Sequence, residues 1–175
     1  MQREINGVTL ECIKGDITDQ PDIDIIVNAA NKQLKGGGGV DGAIHRAAGP
    51  KLVEASRKLA PIEAGEAVIT EAFDLPNRHV VHCAGPVYSQ SQPVAAQLAS
   101  CYRTAMQLAE ENGADSIAFP AISCGIYGYP LDEAAHIAID TVADCVAHAK
   151  TLKTIRFVLF SNDTLAAFEQ ALEQH

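Results

Sequence analysis

The sequence predicts an α/β protein, a three-layer α/β/α sandwich around a mixed, mostly parallel central sheet. Three observations carry this expectation. Short strand-like runs alternate with long amphipathic stretches along the chain, the order that packs helices on both faces of a sheet. The run Ile23 to Val27 is β-branched and apolar except for Asp24, as in a strand covered on both faces. With 47% hydrophobic and 20% charged residues, 13 glycines and 8 prolines, the composition excludes disordered, collagen-like and coiled-coil chains. The 175 residues make one domain, residues 1–175, and area scaling lets such a chain bury roughly 70% of its surface, so its core needs no staple.

The elements follow in order. Met1 to Asn6 runs into a strand-like segment, Val8 to Ile13 alternates as a strand does, and Ile23 to Val27 is the buried strand that Asn28 ends. From Gly42 to Leu59, Ile44, Ala47, Ala48, Leu52, Val53, Ala55 and Leu59 recur mostly at three- and four-residue spacings, which predicts one amphipathic helix closed by Pro61. Glu66 to Thr70 and Arg78 to Cys83 read as strands of a hairpin joined through Asp74-Leu75-Pro76-Asn77. Pro93 to Asn112 is a helix with Gly113 at its C′ position, Ser116 to Phe119 a strand, Leu131 to Lys150 a helix and Thr154 to Phe160 a strand. Leu165, Phe168 and Leu172 place a final helix over Asp163 to Glu173.

The 22 acidic and 13 basic side chains leave a charge of −9, and no basic stripe is available to displace counterions from a phosphate backbone, so general nucleic-acid binding is disfavoured. Five cysteines, an odd number without C-x-x-C spacing, signal neither a disulfide framework nor a ribbon-type zinc site, and a reducing cytoplasm suits them best. No apolar leader opens the chain and no 18-residue apolar run occurs, so neither export nor membrane insertion is expected.

In a parallel sheet, ligands bind where strand C-termini feed loops and helix N-termini. The loop Asn28 to Asp41 carries four consecutive glycines, Gly36 to Gly39, opening onto a helix. Backbone N–H groups there can face an anion closely without any lysine or arginine; the competing reading is a plain flexible linker, but a linker rarely places four glycines against an amphipathic helix, which favours ligand contact. Gly37, Gly39 and Gly42 match G-x-G-x-x-G formally, but they start well after the strand end, and the acidic Glu63 precedes a strand instead of ending one, so a dinucleotide fold is rejected. A P-loop fails because Val40-Asp41 follows Gly39. A second loop, Ser123 to Pro130, has Tyr127 and Tyr129 among its glycines and leads to a helix with Asp132 and Glu133 in its first turn. Two facing glycine loops would form a diphosphate groove.

G-D-I-T at Gly15 to Thr18, N-A-A-N at Asn28 to Asn31, G-G-G-G-V-D-G-A-I-H-R-A-A-G at Gly36 to Gly49 and G-I-Y-G-Y-P at Gly125 to Pro130 together resemble a macro domain of the MacroD type. The resemblance covers nearly the whole chain in the right order. It implies the macro domain fold, binding of ADP-ribose and hydrolysis of ADP-ribosyl esters; no cofactor is expected, and no metal, because Cys124 and His45 have no third or fourth ligand clustered with them in sequence. Substrates would be O-acetyl-ADP-ribose or mono-ADP-ribosylated acidic side chains of proteins. A non-catalytic ADP-ribose reader and an ADP-ribose 1″-phosphate phosphatase are the alternatives.

By the same resemblance, Asp16 accepts from the adenine amino group, Ile17 contributes its backbone, and Phe160 lies beside the adenine. Asp16 could otherwise brace a turn, and Phe160 could otherwise be core. Asn28 and the glycine-loop residues Gly37, Gly38, Gly39 and Val40 fall among the ligand contacts, as do Ser123, Cys124, Gly125, Ile126 and Tyr127. Asn31 and Asp41 match the catalytic pair at the distal ribose, since an amide can fix a hydroxyl and a carboxylate can orient water. For Asp41 the competing reading is an N-cap of the helix starting near Gly42, where the dipole favours the ionised carboxylate and makes it a better positioner of water than a base. His45, four residues on, shares its helix face and could bond it or line the pocket. Two departures stand out: Cys124 replaces a common threonine, as a buried hydrophobe, an oxidation-sensitive gate or, least of all, a metal ligand, and Leu59 to Gly65 replaces a Cys-Pro-Thr-Gly loop.

Overall fold

The structure is a computed structural model that describes residues 1–175. Its elements are β1 (Gln2–Ile5), β2 (Val8–Lys14), β3 (Ile25–Ala30), α1 (Gly39–Ala48), α2 (Lys51–Arg57), β4 (Ala67–Glu71), β5 (His79–Ala84), α3 (Ala95–Glu111), β6 (Ser116–Phe119), α4 (Leu131–Cys145), β7 (Thr154–Leu159) and α5 (Asn162–Glu173). The strands form one seven-stranded sheet in the order β1-β2-β7-β6-β3-β5-β4. Neighbours from β2 to β5 pair in parallel, and only the outer pairs β1·β2 and β4·β5 are antiparallel. The expected α/β sandwich with a mixed, mostly parallel sheet is therefore the fold, and the β4–β5 hairpin is part of it.

Strand pleating divides the core into two unequal layers. Leu10, Ile25, Val27, Val81, Ile117, Phe119, Ile155 and Phe157 point to the side covered by α3, α4 and α5. Ile26, Val80, Ala118 and Val158 point to the other side, where Ile44, Ala48 and Leu52 of α1 and α2 cover them. Asn28 and His82 keep step with Ile26 and Val80 along β3 and β5, so the period-two rule directs both polar side chains beneath α1. The larger layer is centred on aromatic packing, with Phe119 and Phe157 stacked at 5.7 Å and Phe168 of α5 at 5.6 Å from Phe157.

Two sequence expectations are corrected here. The single helix Gly42 to Leu59 is two helices, because Gly49 takes a left-handed φ of +88° at the end of α1 and Pro50 starts the next turn. Helix α1 also begins earlier, at Gly39, with Gly38 as its N-cap and no side-chain cap. Asp41 thus lies inside the first turn, and the N-cap reading of this residue is wrong. At the far end α5 does carry a side-chain cap, Ser161, whose hydroxyl accepts from the Thr164 N–H at 3.3 Å.

Glu110, near the end of α3, latches the turn that leads into β7. Its carboxylate accepts from the N–H groups of Lys150, Thr151 and Leu152 at 2.9–3.2 Å and from the Thr151 hydroxyl at 3.1 Å. Burial pushes its carboxyl up, and these donors together outweigh that push, so the group titrates below the ordinary glutamate range. Glu110→Gln would turn an amide donor toward backbone donors. The expected loss is about 2 kcal/mol, or about 4–8 °C in melting temperature, and an unchanged melting curve would show that the latch adds nothing.

Candidate active site

Parallel strands β2, β7, β6, β3 and β5 deliver their C-terminal ends to one edge of the sheet, and every loop singled out from the sequence leaves from that edge. Lys14 pairs with Leu159, and the Gly15 N–H donates to the Leu159 carbonyl at 3.0 Å, which puts Asp16, Ile17 and Phe160 at adjacent strand ends. Asp16 does brace its turn: Oδ1 accepts from the Thr18 N–H at 2.9 Å and from its hydroxyl at 2.7 Å. Oδ2 is left without a partner in the chain. The Ile17 side chain is buried while its N–H bonds nothing within the chain. Phe160 is 87% exposed, so the core reading of this residue is excluded.

Between the two glycine loops lies a cleft of about 330 Å³. Asn31, Gly37, Gly38, Gly39, Val40 and Asp41 form one wall, and Ser123, Gly125, Ile126 and Tyr127 form the other, as the sequence led us to expect. Sequence reasoning missed Ala29, Ala30, Gly85, Ala121 and Ile122, which carry no polar side chain to mark them. Gly85 is needed for the fit, since a Cβ there would come within 2.6 Å of Ile122. The second loop is braced from below: the Tyr102 hydroxyl of α3 accepts from the Ile122 N–H at 3.3 Å, and the Tyr88 N–H donates to the Tyr127 carbonyl at 2.9 Å. Backbone N–H groups of Gly39, Val40 and Asp41, in the first turn of α1, and of Gly125, Ile126 and Tyr127 opposite, have no partner in the chain. No lysine or arginine lines the cleft. An anion would meet helix dipole and peptide N–H groups only.

At one end of this cleft Asp41 is held asymmetrically. Its Oδ1 accepts from Asn28 Nδ2 at 2.7 Å and lies 3.2 Å from His45 Nε2. Its Oδ2 has no partner and borders the space left by Gly37, where a Cβ would sit 3.2 Å from Oδ2 and 3.7 Å from Asn31 Nδ2. Asn31 is fixed by the loop itself, donating from Nδ2 to the Gly36 carbonyl at 2.9 Å and accepting from the Lys35 N–H at 3.3 Å. One carboxylate oxygen and one amide thus flank a gap beside Gly37 that a Cβ there would narrow. Such a gap can hold a hydroxyl and a water between an acceptor and a donor.

Several expected contacts lie elsewhere. Asn28 is fully buried and touches no cleft; its amide serves Asp41 and, at 3.2 Å, His82 Nδ1. His45 stands behind Asp41 and does not line the cleft. Ser123 spends its hydroxyl on the Pro86 carbonyl at 2.7 Å, so only its backbone can face a ligand. Cys124 turns toward the core, its Sγ 3.6 Å from the Ile122 carbonyl, and burial pushes the thiol up to about 11, which makes it a small hydrophobe and no nucleophile. Sequence reasoning missed His82 and Thr70, joined at 3.0 Å beneath the site. The available signal was a lone histidine in the apolar run of β5, directly across from Asn28 in register.

A macro domain family model matches residues 27–138. An O-acetyl-ADP-ribose deacetylase of Cronobacter sakazakii is 47% identical over 171 residues, 95% of this chain and 94% of that one. Among solved structures, an Oceanobacillus iheyensis macrodomain with ADP superposes with a TM-score of 0.95 at 41% identity, covering 99% of this chain and 95% of its own. A Trypanosoma brucei macrodomain in complex with ADP-ribose superposes with a TM-score of 0.87 at 38% identity, covering 93% of this chain and 68% of its own.

Burial, with the charge of His45 nearby, pulls the His82 imidazole from 6.5 down to about 4, and Asp41 only partly offsets this. Between those values the unfolded chain binds a proton that the folded chain refuses, so stability must fall as pH drops from 6.5 toward 4. This group alone contributes about 3 kcal/mol of the loss. Urea unfolding across that range should show the decline, with the His82 ring neutral by NMR at pH 5; a ring that titrates near its ordinary value would contradict the burial argument.

Proposed function

The chain belongs to the macro domain family, and from that premise we propose that it binds ADP-ribose in the cleft and hydrolyses esters on the distal ribose. The substrate class is O-acetyl-ADP-ribose together with mono-ADP-ribosyl groups on acidic side chains of proteins. The observation that carries this reading is the open Asp41 Oδ2 facing Asn31 Nδ2 across Gly37. A module that only read ADP-ribose would need the N–H groups of the two loops but not that pair. Five unpaired thiols, Cys12, Cys83 and Cys101 among them fully buried, support a reducing cytoplasm as its setting.

In this reading the adenine end lies at Asp16, Ile17 and Phe160, where Asp16 Oδ2 accepts from the exocyclic amine and the Ile17 N–H donates to the ring. The diphosphate spans the two loops on peptide N–H groups. The distal ribose reaches the Gly37 gap, where Asn31 holds a hydroxyl and Asp41 Oδ2 accepts from the attacking water. Hydrolysis consumes that water and releases the free acid and the ribose hydroxyl. A carboxylate there stabilises the positive charge that develops on water as it attacks, and it need not take the proton in the ground state.

ADP-ribose is expected to raise the melting temperature, because it binds only the native state, and Asp16→Ala should reduce that shift. An adenosine nucleotide lacking the distal ribose that shifts it equally would refute the placement of that ribose in the Gly37 gap. For catalysis, Asp41→Asn retains an oxygen to accept from Asn28 and His45, so it should fold and bind ADP-ribose while hydrolysing ester about 10²-fold more slowly or worse. Asp41→Ala should also lose stability, by about 1–3 kcal/mol, since it strands buried donors. Asn31→Ala combined with Asp41→Ala should be little slower than the worse single change, as residues of one unit are non-additive. Near-normal turnover by folded Asp41→Asn would falsify the charged-carboxylate mechanism.

A further inference from the structure

Beneath the cleft a chain of buried polar groups crosses from the edge of the sheet to Asp41, and we infer that Thr70 and His82 are positioning residues that set which way the Asp41 carboxylate points. The inference rests on the catalytic reading of Asp41 given above. Thr70 of β4, His82 of β5, Asn28 of β3 and Asp41 of α1 are 8%, 1%, 0% and 6% exposed, so these groups rely on one another and not on bulk water for their hydrogen bonds. The links are Thr70 Oγ1 to His82 Nε2 at 3.0 Å, His82 Nδ1 to Asn28 Nδ2 at 3.2 Å, and Asn28 Nδ2 to Asp41 Oδ1 at 2.7 Å.

Both ends of the chain dictate the same proton order. At the outer end the Thr70 hydroxyl donates its only proton to the Glu71 carbonyl at 2.9 Å, which leaves a lone pair toward His82. His82 must then carry its proton on Nε2 and present a bare Nδ1. At the inner end an ionised carboxylate can only accept, so Asn28 must turn its NH₂ to Asp41, and its second N–H falls on that bare Nδ1. The other imidazole tautomer would set N–H against N–H at Asn28 and lone pair against lone pair at Thr70. With the amide locked, Oδ1 of Asp41 is taken by Asn28 and His45, and Oδ2 is the oxygen left to face Asn31 across Gly37. Threonine and histidine never reach the cleft; they act through Asn28.

The test compares Thr70→Val, which keeps the shape and removes the acceptor, with Thr70→Ser, which restores it. Ring ¹⁵N correlations should place the His82 proton on Nε2 in wild type and Thr70→Ser; in Thr70→Val only the Asn28 end still favours that tautomer, so a measurable minority with the proton on Nδ1 should appear. Turnover of O-acetyl-ADP-ribose by Thr70→Val should fall roughly 10- to 100-fold, the usual cost of losing a residue that orients a site group, while ADP-ribose affinity stays within about twofold. Thr70→Ser should recover most of the rate. Wild-type His82 protonated on Nδ1, or a folded Thr70→Val with normal kcat, would overturn the assignment. Failure of the catalytic reading itself has a different signature: ring signals as expected, together with an Asp41→Asn variant that still turns over.

Discussion

A carboxylate can be kept nearly dry only where donors meet it, and in this protein donors meet just one oxygen of Asp41. Everything around the cleft follows from that asymmetry. Asn28 and His45 approach from the sheet and the helix, Gly37 keeps the other oxygen clear, and the first turn of α1 supplies both the position and a favourable dipole. The same turn offers its free N–H groups to the cleft. One short helix start therefore does two things, holding a carboxylate inward and presenting unpartnered N–H groups outward.

The second constraint is charge. A chain of net charge −9 cannot rely on bulk attraction to hold the diphosphate proposed for it, and its cleft carries no lysine or arginine. Peptide dipoles solve this locally, since N–H groups at a helix start and in a glycine loop act at contact distance, where the field of distant surface carboxylates is screened by solvent and salt. The requirement is backbone access, which is why glycines border the groove and why the close fit of Gly85 under Ile122 matters as much as any side chain. Tyr102 reaches up from the core to brace this loop, so packing in the larger hydrophobic layer is tied directly to the shape of the site.

Parallel strand order gathers the ends of β2, β7, β6, β3 and β5 into a single surface, and the proposed adenine, diphosphate and ribose positions all lie along it. Asp16 and Phe160 lie near opposite ends of the chain, yet β2 and β7 are hydrogen-bonded neighbours that bring them side by side. The buried relay of Thr70, His82 and Asn28 uses the same geometry crosswise, passing from an antiparallel edge strand through two parallel ones to a helix.

The alternation of strands and helices and the two glycine loops were legible in the chain alone, because periodicity and turn chemistry are local properties, whereas the pairing of Asn31 with Asp41 came only as what the family resemblance implies. Sequence reasoning erred at the bounds of one helix, and otherwise where distant partners decide. Helix α1 starts at Gly39 and stops at Gly49, so Asp41 is no cap; the apolar period runs on through the break, and it was Gly49-Pro50, a local helix-breaking pair, that carried the signal for it. Asn28 looked like a ligand contact and Cys124 like a group at the pocket, yet the first faces α1 beneath the sheet and the second faces the core. His82 and Thr70 escaped notice altogether. Their meaning comes from cross-strand register, and register is decided by tertiary packing, where a buried polar atom must find its partner on whichever strand lies beside it.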